Sequence, residues 1–427
     1  MLKVRLFLLQ EKEKIDIMEL GDFCEIMGFA PDTARVLQPV WEIAHGLAAG
    51  KERFFDCAAM LHYCRIGGLA EEIIADLAQM DQDVHADPAL RLYAEATLYG
   101  LMSQKVAVGT LPYPEKKLGT RAGMFFLLVT LATFPIAEES YRKQGIPLRY
   151  LEDFALFFPG ASAMYESGHQ GHPGITPSQL SWMRNFALAR KLRIGRLDYI
   201  PETVCDYVPA VFKSRRTGDL AVLCKDGWQL DETGFFRTKD TSGVTATLNF
   251  AGNTVTGIPI TPFGQALTDR TRTLDLNEFE PAISAYEWVP GCHMAGGGGM
   301  TPEKVLDSFR EATAFFKQYF HQDIRMISCI SWVLNPEWER EMPDSNIAKF
   351  QRMTYMTPGT CSGTDGLFFV FGTNTPDWQN FPADNSLRKA FHRVHERHGA
   401  LANGGMFVMT ADLDKLDDGF YRKRYTF

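Results

Sequence analysis

In the run SAYEWVPGCH, residues 284–293, the alternation of an extended strand puts Glu287, Val289, Gly291 and His293 on one face. A carboxylate and an imidazole are side chains that can take a proton from a reacting group near neutral pH, directly or through one water. The plain readings are a solvent-facing strand carboxylate for Glu287 and a hydrogen-bonded structural histidine for His293. This strand candidate runs straight into AGGGG, residues 295–299, and then into MTPEKVLDSFREATAFFKQYF. Glycines such as Gly296, Gly297, Gly298 and Gly299 let a backbone come close to a ligand. A helix that starts at Thr301 and Pro302 adds free N–H groups and a partial positive charge. Together they make an anion site suited to phosphates. Four glycines in a row also suit a flexible turn, and the run matches neither G-x-G-x-x-G with a downstream acid nor G-x-x-x-x-G-K-[ST].

Beyond the helix, IRMISCISWVL reads as a second strand and carries Cys329, Ser331 and Trp332. Ser331 can donate a hydrogen bond to a substrate or to a departing anion, whereas Trp332 reads as core. Cys329 has no general base near it in sequence, which argues against a nucleophilic thiol. Ser345 and Asn346 suit the cap of the following helix, IAKFQRM. HRVHERH spaces His392, His395 and His398 by three, and GHQGH holds His169 and His172. Spacing three drifts around a helix by about 60° per step, and neither run is H-E-x-x-H, so no metal is assigned.

These groups need a frame of strand, glycine loop, helix and strand. Val305, Phe309, Ala312, Phe316 and Phe320 form one apolar stripe, so the helix packs on a sheet. Its 19 or so residues make a rod of roughly 28 Å. From Ile194 the texture is that of short strands: Leu220–Cys224, Trp228–Leu230 and Phe235–Thr238 are separated by K-D-G and E-T-G. Val244–Phe250 and Thr254–Ile260 flank A-G-N as a hairpin. Upstream, residues 15 to about 158 carry helical spacing in Ala70–Met80 and Ala89–Leu101, punctuated by Gly68 and Pro88. Phe158–Gly174 breaks that pattern and marks the expected boundary, with a helix predicted over Pro177–Arg190 behind Thr176.

The chain has 427 residues, enough for two or three cores, and 45% of them are hydrophobic. A net charge of -8 lacks the basic footprint of a nucleic-acid binder, so no nucleic-acid partner is expected. The eight cysteines are scattered without a C-x-x-C pair, as reduced thiols are. The N-terminal run MLKVRLFLLQEKEK has no signal-peptide form, and Phe125–Ala137 is short for a membrane span and carries a proline. The expected location is the cytoplasm, with no membrane partner.

Several stretches then resemble bacterial proteins that pair a helical acyltransferase N-terminal domain with a GNAT-like C-terminal domain. They are QGIPLRYLEDF (144–154), RKLRIGRLDY (190–199), LDLNEFEPAI (274–283), SFREATAFFKQYF, ISCISWVLNPEWEREMPDSNIAKFQRM and FPADNSLRKAFHRVHERHG (381–399). The resemblance covers residues 100 to 410. It implies an α+β fold, with a helical N-terminal domain over 1–160 and a GNAT-like mixed β-sheet domain flanked by helices over 161–427. It also implies acetyl-CoA or another acyl-CoA as co-substrate, held by Gly296, Gly297, Gly298, Gly299 and Thr301. The acceptor would be a small-molecule amine, whose nitrogen must lose a proton while the departing thiolate gains one. His293, Glu287 and Ser331 are the candidates for that work. One departure stands out: the family's loop is of the type Q/R-x-x-G-x-G/A, and here it reads GCHMAGGGGMTP. That departure favours the alternative, a non-catalytic GNAT-like binding or regulatory module. A hydrolase built on Ser331 with a distant histidine is a third reading, for which the sequence offers no oxyanion site.

Overall fold

The computed structural model describes residues 18–50, 54–201, 207–236, 243–284, 286–296 and 299–425. The chain divides into two compact units, Met1–Arg193 and Ile194–Phe427.

The first unit is helical, for reasons visible in its punctuation. Asp87 accepts hydrogen bonds from the amides of Ala89 (2.9 Å) and Leu90 (3.1 Å), and Pro88 takes the first position of the helix Pro88–Ser103. Gly68 ends the helix Cys57–Gly67 at φ 81°, where a side chain would be strained. Every residue of the helix Ala122–Leu131 is buried. By composition, Glu115–Gln144 is long and apolar enough to cross a membrane, and 78% of its most apolar window lies inside the unit. It forms the unit's core.

Two expectations for this region need correction. Phe158–Gly174, read as a break between domains, contains the helix Phe158–Gly168, with Phe158, Ala161, Ser162 and Tyr165 buried. The two compact units are Met1–Arg193 and Ile194–Phe427. The helix predicted over Pro177–Arg190 is two short ones, Pro177–Leu180 and Met183–Ala187. Thr176 does cap the first, in a full capping box with Gln179.

The second unit is built on a six-stranded mixed sheet. Its strands are β1 (Leu192–Ile194), β2 (Leu197–Ile200), β3 (Gly291–Met294), β4 (Met326–Ser331), β5 (Tyr355–Pro358) and β6 (Gly404–Met409), in the order β1-β2-β3-β4-β6-β5. β3 and β4 run parallel, and β6 is antiparallel to both β4 and β5. Between β3 and β4 runs α1 (Pro302–Phe320), the crossover helix a parallel pair requires. Val305, Phe309, Ala312 and Phe316 are buried as the stripe predicts, joined by Phe315, while Phe320 is half-buried. Each large side chain so buried stabilises the unit by roughly 1.5–3 kcal/mol.

Between β2 and β3 the chain makes small antiparallel sheets. One is the expected hairpin, with Leu248–Ala251 pairing Thr254–Gly257 around Gly252. Between β5 and β6, residues 359–403 fold around their own core of Leu367, Phe391, Val394 and Leu401, to which Trp338 also belongs.

Candidate functional site

The site lies in the second unit, where two neighbouring parallel strands part. Among the described residues, β3 and β4 share one register pair, Gly291 with Ser328, secured by the Ser328 amide donating to the Pro290 carbonyl at 3.1 Å. The other edge of β3 is laddered to β2 from Gly291↔Ile200 through Met294↔Leu197. The other edge of β4 is laddered to β6 from Met326↔Met409 through Ser331↔Gly404. Past Gly291 and Ser328 no further register pair joins the two strands among the described residues, and each keeps its outer partner, which leaves a wedge between their ends. Edges of that kind carry N–H and C=O groups that want a partner.

Residues opposite one another in a ladder point to the same side. Cys292 lies opposite Tyr199, whose ring meets Phe316 of α1 edge-on at 6.4 Å. Cys292 and Cys329 therefore face α1. Gly291, His293, Asp198 and Ser328 face the other side, with His293 directly opposite Asp198. His293 is half-buried and Asp198 is buried. The Ser328 hydroxyl, at the apex of the wedge, is buried and has no hydrogen-bond partner among the described residues. A buried hydroxyl left so is free to donate to a group that enters the wedge.

The other candidates fall as follows. Glu287 is not on the strand, which begins only at Gly291 after Pro290; it sits in a bend. Burial pushes its carboxyl up, but the Arg325 guanidinium, with Nε 2.8 Å from Oε2, outweighs this and holds it below the usual range. So paired, it is a weak base, and the shared strand face expected for Glu287 and His293 does not form. Ser331 ends β4 on the α1 side, opposite to His293, and its Oγ accepts from the Val333 amide at 3.2 Å. Thus His293 cannot serve as its base. The thiol of Cys292 is pushed well up, by burial first and then by Cys329 beside it, so it stays protonated.

Thr301 occupies the N-cap of α1 without a side-chain hydrogen bond to the helix amides; in the first turn the Glu303 carboxylate accepts instead from its own amide and from the Thr301 hydroxyl. Gly299 adopts φ 68°, a conformation that only glycine takes without strain. Gly296 lies in the loop just before it, while Gly297 and Gly298 lie outside the described residues.

Sequence reasoning passed over three site residues. Asp198 and Ser328 reach the site only through pairing with distant strands, which leaves no local signal. The third is Arg196, in the tight turn between β1 and β2. Its Nη2 donates to the Ala295 carbonyl at 2.7 Å, and its Nε donates to the Gly299 carbonyl. An arginine directly after the Ile194-Gly195 pair was the sign that could have been read.

The histidine runs go separate ways. His392 Nε2 lies 3.2 Å from the Phe381 carbonyl, His395 stacks on Trp378 at 4.1 Å, and His398 lies 3.3 Å from Glu337. In the first unit, His169 stacks on Tyr165 at 3.7 Å. Among the described residues, no group of three or more His, Cys, Asp or Glu is placed to hold a metal ion.

Comparison with known proteins shows where this architecture recurs. No curated protein matches the chain. Among solved structures, an acyltransferase variant in complex with octanoyl-CoA aligns over 92% of this chain and 99% of its own, with 19% identity and a TM-score of 0.59. An acyltransferase in complex with decanoyl-CoA and teicoplanin aligns over 92% and 100%, with 19% identity and a TM-score of 0.58. At this identity the likeness is one of fold, and it extends through both the helical and the mixed-sheet unit. The family model described as "GNAT-like C-terminal domain" matches residues 192–407, just over half of the chain. On that match, and with the strand, glycine loop, helix and strand in place, the chain belongs to the family of proteins with a GNAT-like C-terminal domain.

Proposed function

We propose that this protein is an acyltransferase that moves an acyl group from acyl-CoA to an amine. The observation that carries the reading is the wedge opening past Gly291 and Ser328, with the N-terminus of α1 at the end of the loop that follows β3. The pantetheine arm of coenzyme A is an extended chain with two amides, and it suits two strand edges with unmet backbone groups. The diphosphate suits a helix N-terminus reached through glycines.

In the reaction the amine nitrogen attacks the thioester carbonyl carbon. A C–N bond forms, the C–S bond breaks, and the nitrogen loses a proton. His293, with the buried Asp198 opposite it, is the group we assign to take that proton. The same proton can then pass to the departing thiolate, so the transfer is neutral overall. The Ser328 hydroxyl would donate to the carbonyl oxygen as charge builds there.

The similarly folded acyltransferases hold octanoyl- and decanoyl-CoA, which supports a donor longer than acetyl-CoA. The test is thermal unfolding with acetyl-, octanoyl- and decanoyl-CoA. A ligand at a hundred times its dissociation constant adds about 2.7 kcal/mol of stability. No stabilisation by any of the three would sink the proposal. The departure of GCHMAGGGGMTP from the family's loop pattern favours a second reading, a binding module without turnover. Stabilisation by acyl-CoA with no thiol release across a broad amine panel would select that reading instead.

A further inference from the structure

Arg196 has no place in the chemistry above, yet its side chain reaches two backbone carbonyls about a hundred residues away in sequence. It stands in the two-residue turn Gly195–Arg196, and that turn is anchored. Ser308, fully buried in α1, donates its hydroxyl to the Ile194 carbonyl at 2.5 Å. The same oxygen lies 3.3 Å from the Leu197 amide and 2.9 Å from the Tyr199 hydroxyl. Gly195, at φ 58°, leaves so little room that a Cβ there would lie 3.3 Å from the Ser308 Cβ. The turn is thus fixed to the helix whose N-terminus follows the glycine loop.

From this fixed point the guanidinium holds the loop at both ends, through the carbonyls of Ala295 and Gly299. In a trans peptide the C=O and the following N–H point in opposite directions. Drawing the Ala295 and Gly299 carbonyls toward Arg196 therefore turns the amides of Gly296 and Met300 away from it. The sheet order says which way that is. Arg196 comes from the β2 side of β3, and β4 lies on the other side, so the Gly296 amide turns toward the side on which the wedge opens.

We infer that Arg196 is the positioning residue for a nucleotide diphosphate, acting through the carbonyls of Ala295 and Gly299 to fix the loop and aim the Gly296 amide at it. The inference rests on the acyl-CoA reading and deepens it. The donor is recognised by its diphosphate as well as by its pantetheine arm, and a thioester without the nucleotide would gain nothing from Arg196.

The experiment compares CoA, dephospho-CoA and pantetheine by calorimetry on the wild-type chain, on Arg196→Ala and on Arg196→Lys. For Arg196→Ala, CoA and dephospho-CoA should each weaken by about tenfold or more, the size of one charge-assisted hydrogen bond. Pantetheine should bind as it does to the wild type. Lysine, which cannot span both carbonyls from one planar group, should recover only part of the loss. Equal weakening of all three ligands would make Arg196 merely structural and overturn the inference, as would no weakening of any. Wild-type protein that binds neither CoA nor dephospho-CoA would instead remove the acyl-CoA reading, a result distinct from either.

Discussion

His293 and Asp198 face each other across the antiparallel pair β2–β3, on the side of the sheet away from α1. A carboxylate beside an imidazole can fix the ring's orientation and tautomer. Replacing His293 by Ala should lower amine-dependent thiol release from acyl-CoA by ~10²–10⁴-fold while donor affinity holds. Asp198→Asn should give a smaller loss in the same assay. Full activity in His293→Ala would place the base elsewhere.

Ser331 caps the turn Trp332–Leu334 through the Val333 amide and points to the α1 side. Ser331→Ala should lower stability by about 0.5–2 kcal/mol, the usual effect of losing such a cap. Acyl transfer by the protein that remains folded should be unchanged. A collapse of turnover with normal unfolding would restore a chemical role for this hydroxyl.

The Glu287–Arg325 pair is partly exposed, with side-chain accessibilities of 33% and 51%, so its contribution is at most about 1 kcal/mol. Because the pair lowers the folded-state pKa of Glu287, that contribution is complete above the ordinary glutamate pKa. It disappears as the pH falls through the lowered folded value. Denaturant unfolding of Glu287→Gln should therefore match the wild type at strongly acidic pH and trail it slightly at neutral pH. Its catalytic rate should stay near that of the wild type.

Gly404, where β6 begins, admits no side chain: a Cβ there would lie 1.8 Å from the Leu334 carbonyl oxygen. Gly404→Ala must push apart the first residue of β6 and the turn after β4. A loss of about 1–3 kcal/mol, or failure to fold, is expected from such overpacking. A melting temperature equal to that of the wild type would show that the turn yields freely.

What could be read from the chain alone was what is encoded locally. The stripe Val305–Phe316 announces its helix, Thr176 and Ser345 announce caps, and A-G-N announces a hairpin, because each signal lies within a few residues of its effect. The wedge is different in kind. It lies between a strand paired to β2 and a strand paired to β6, so its position depends on partners roughly ninety residues upstream of β3 and eighty downstream of β4. The same distance hid Asp198 and Ser328. Glu287 was misplaced for a local reason: alternation was carried back through Pro290, where the strand had not yet begun.

The position of β6 also sets the order in which the chain can fold. The last strand in sequence lies inside the sheet, between β4 and β5, rather than at its edge. While a ribosome is still making residues 404–409, β4 lacks its antiparallel neighbour and β5 has no strand of this sheet to join. The helical unit needs none of this and can fold while synthesis continues. Ligand-binding competence should thus appear late and abruptly, once β6 is inserted, and chains cut short before Gly404 should be clients for chaperones rather than weak binders.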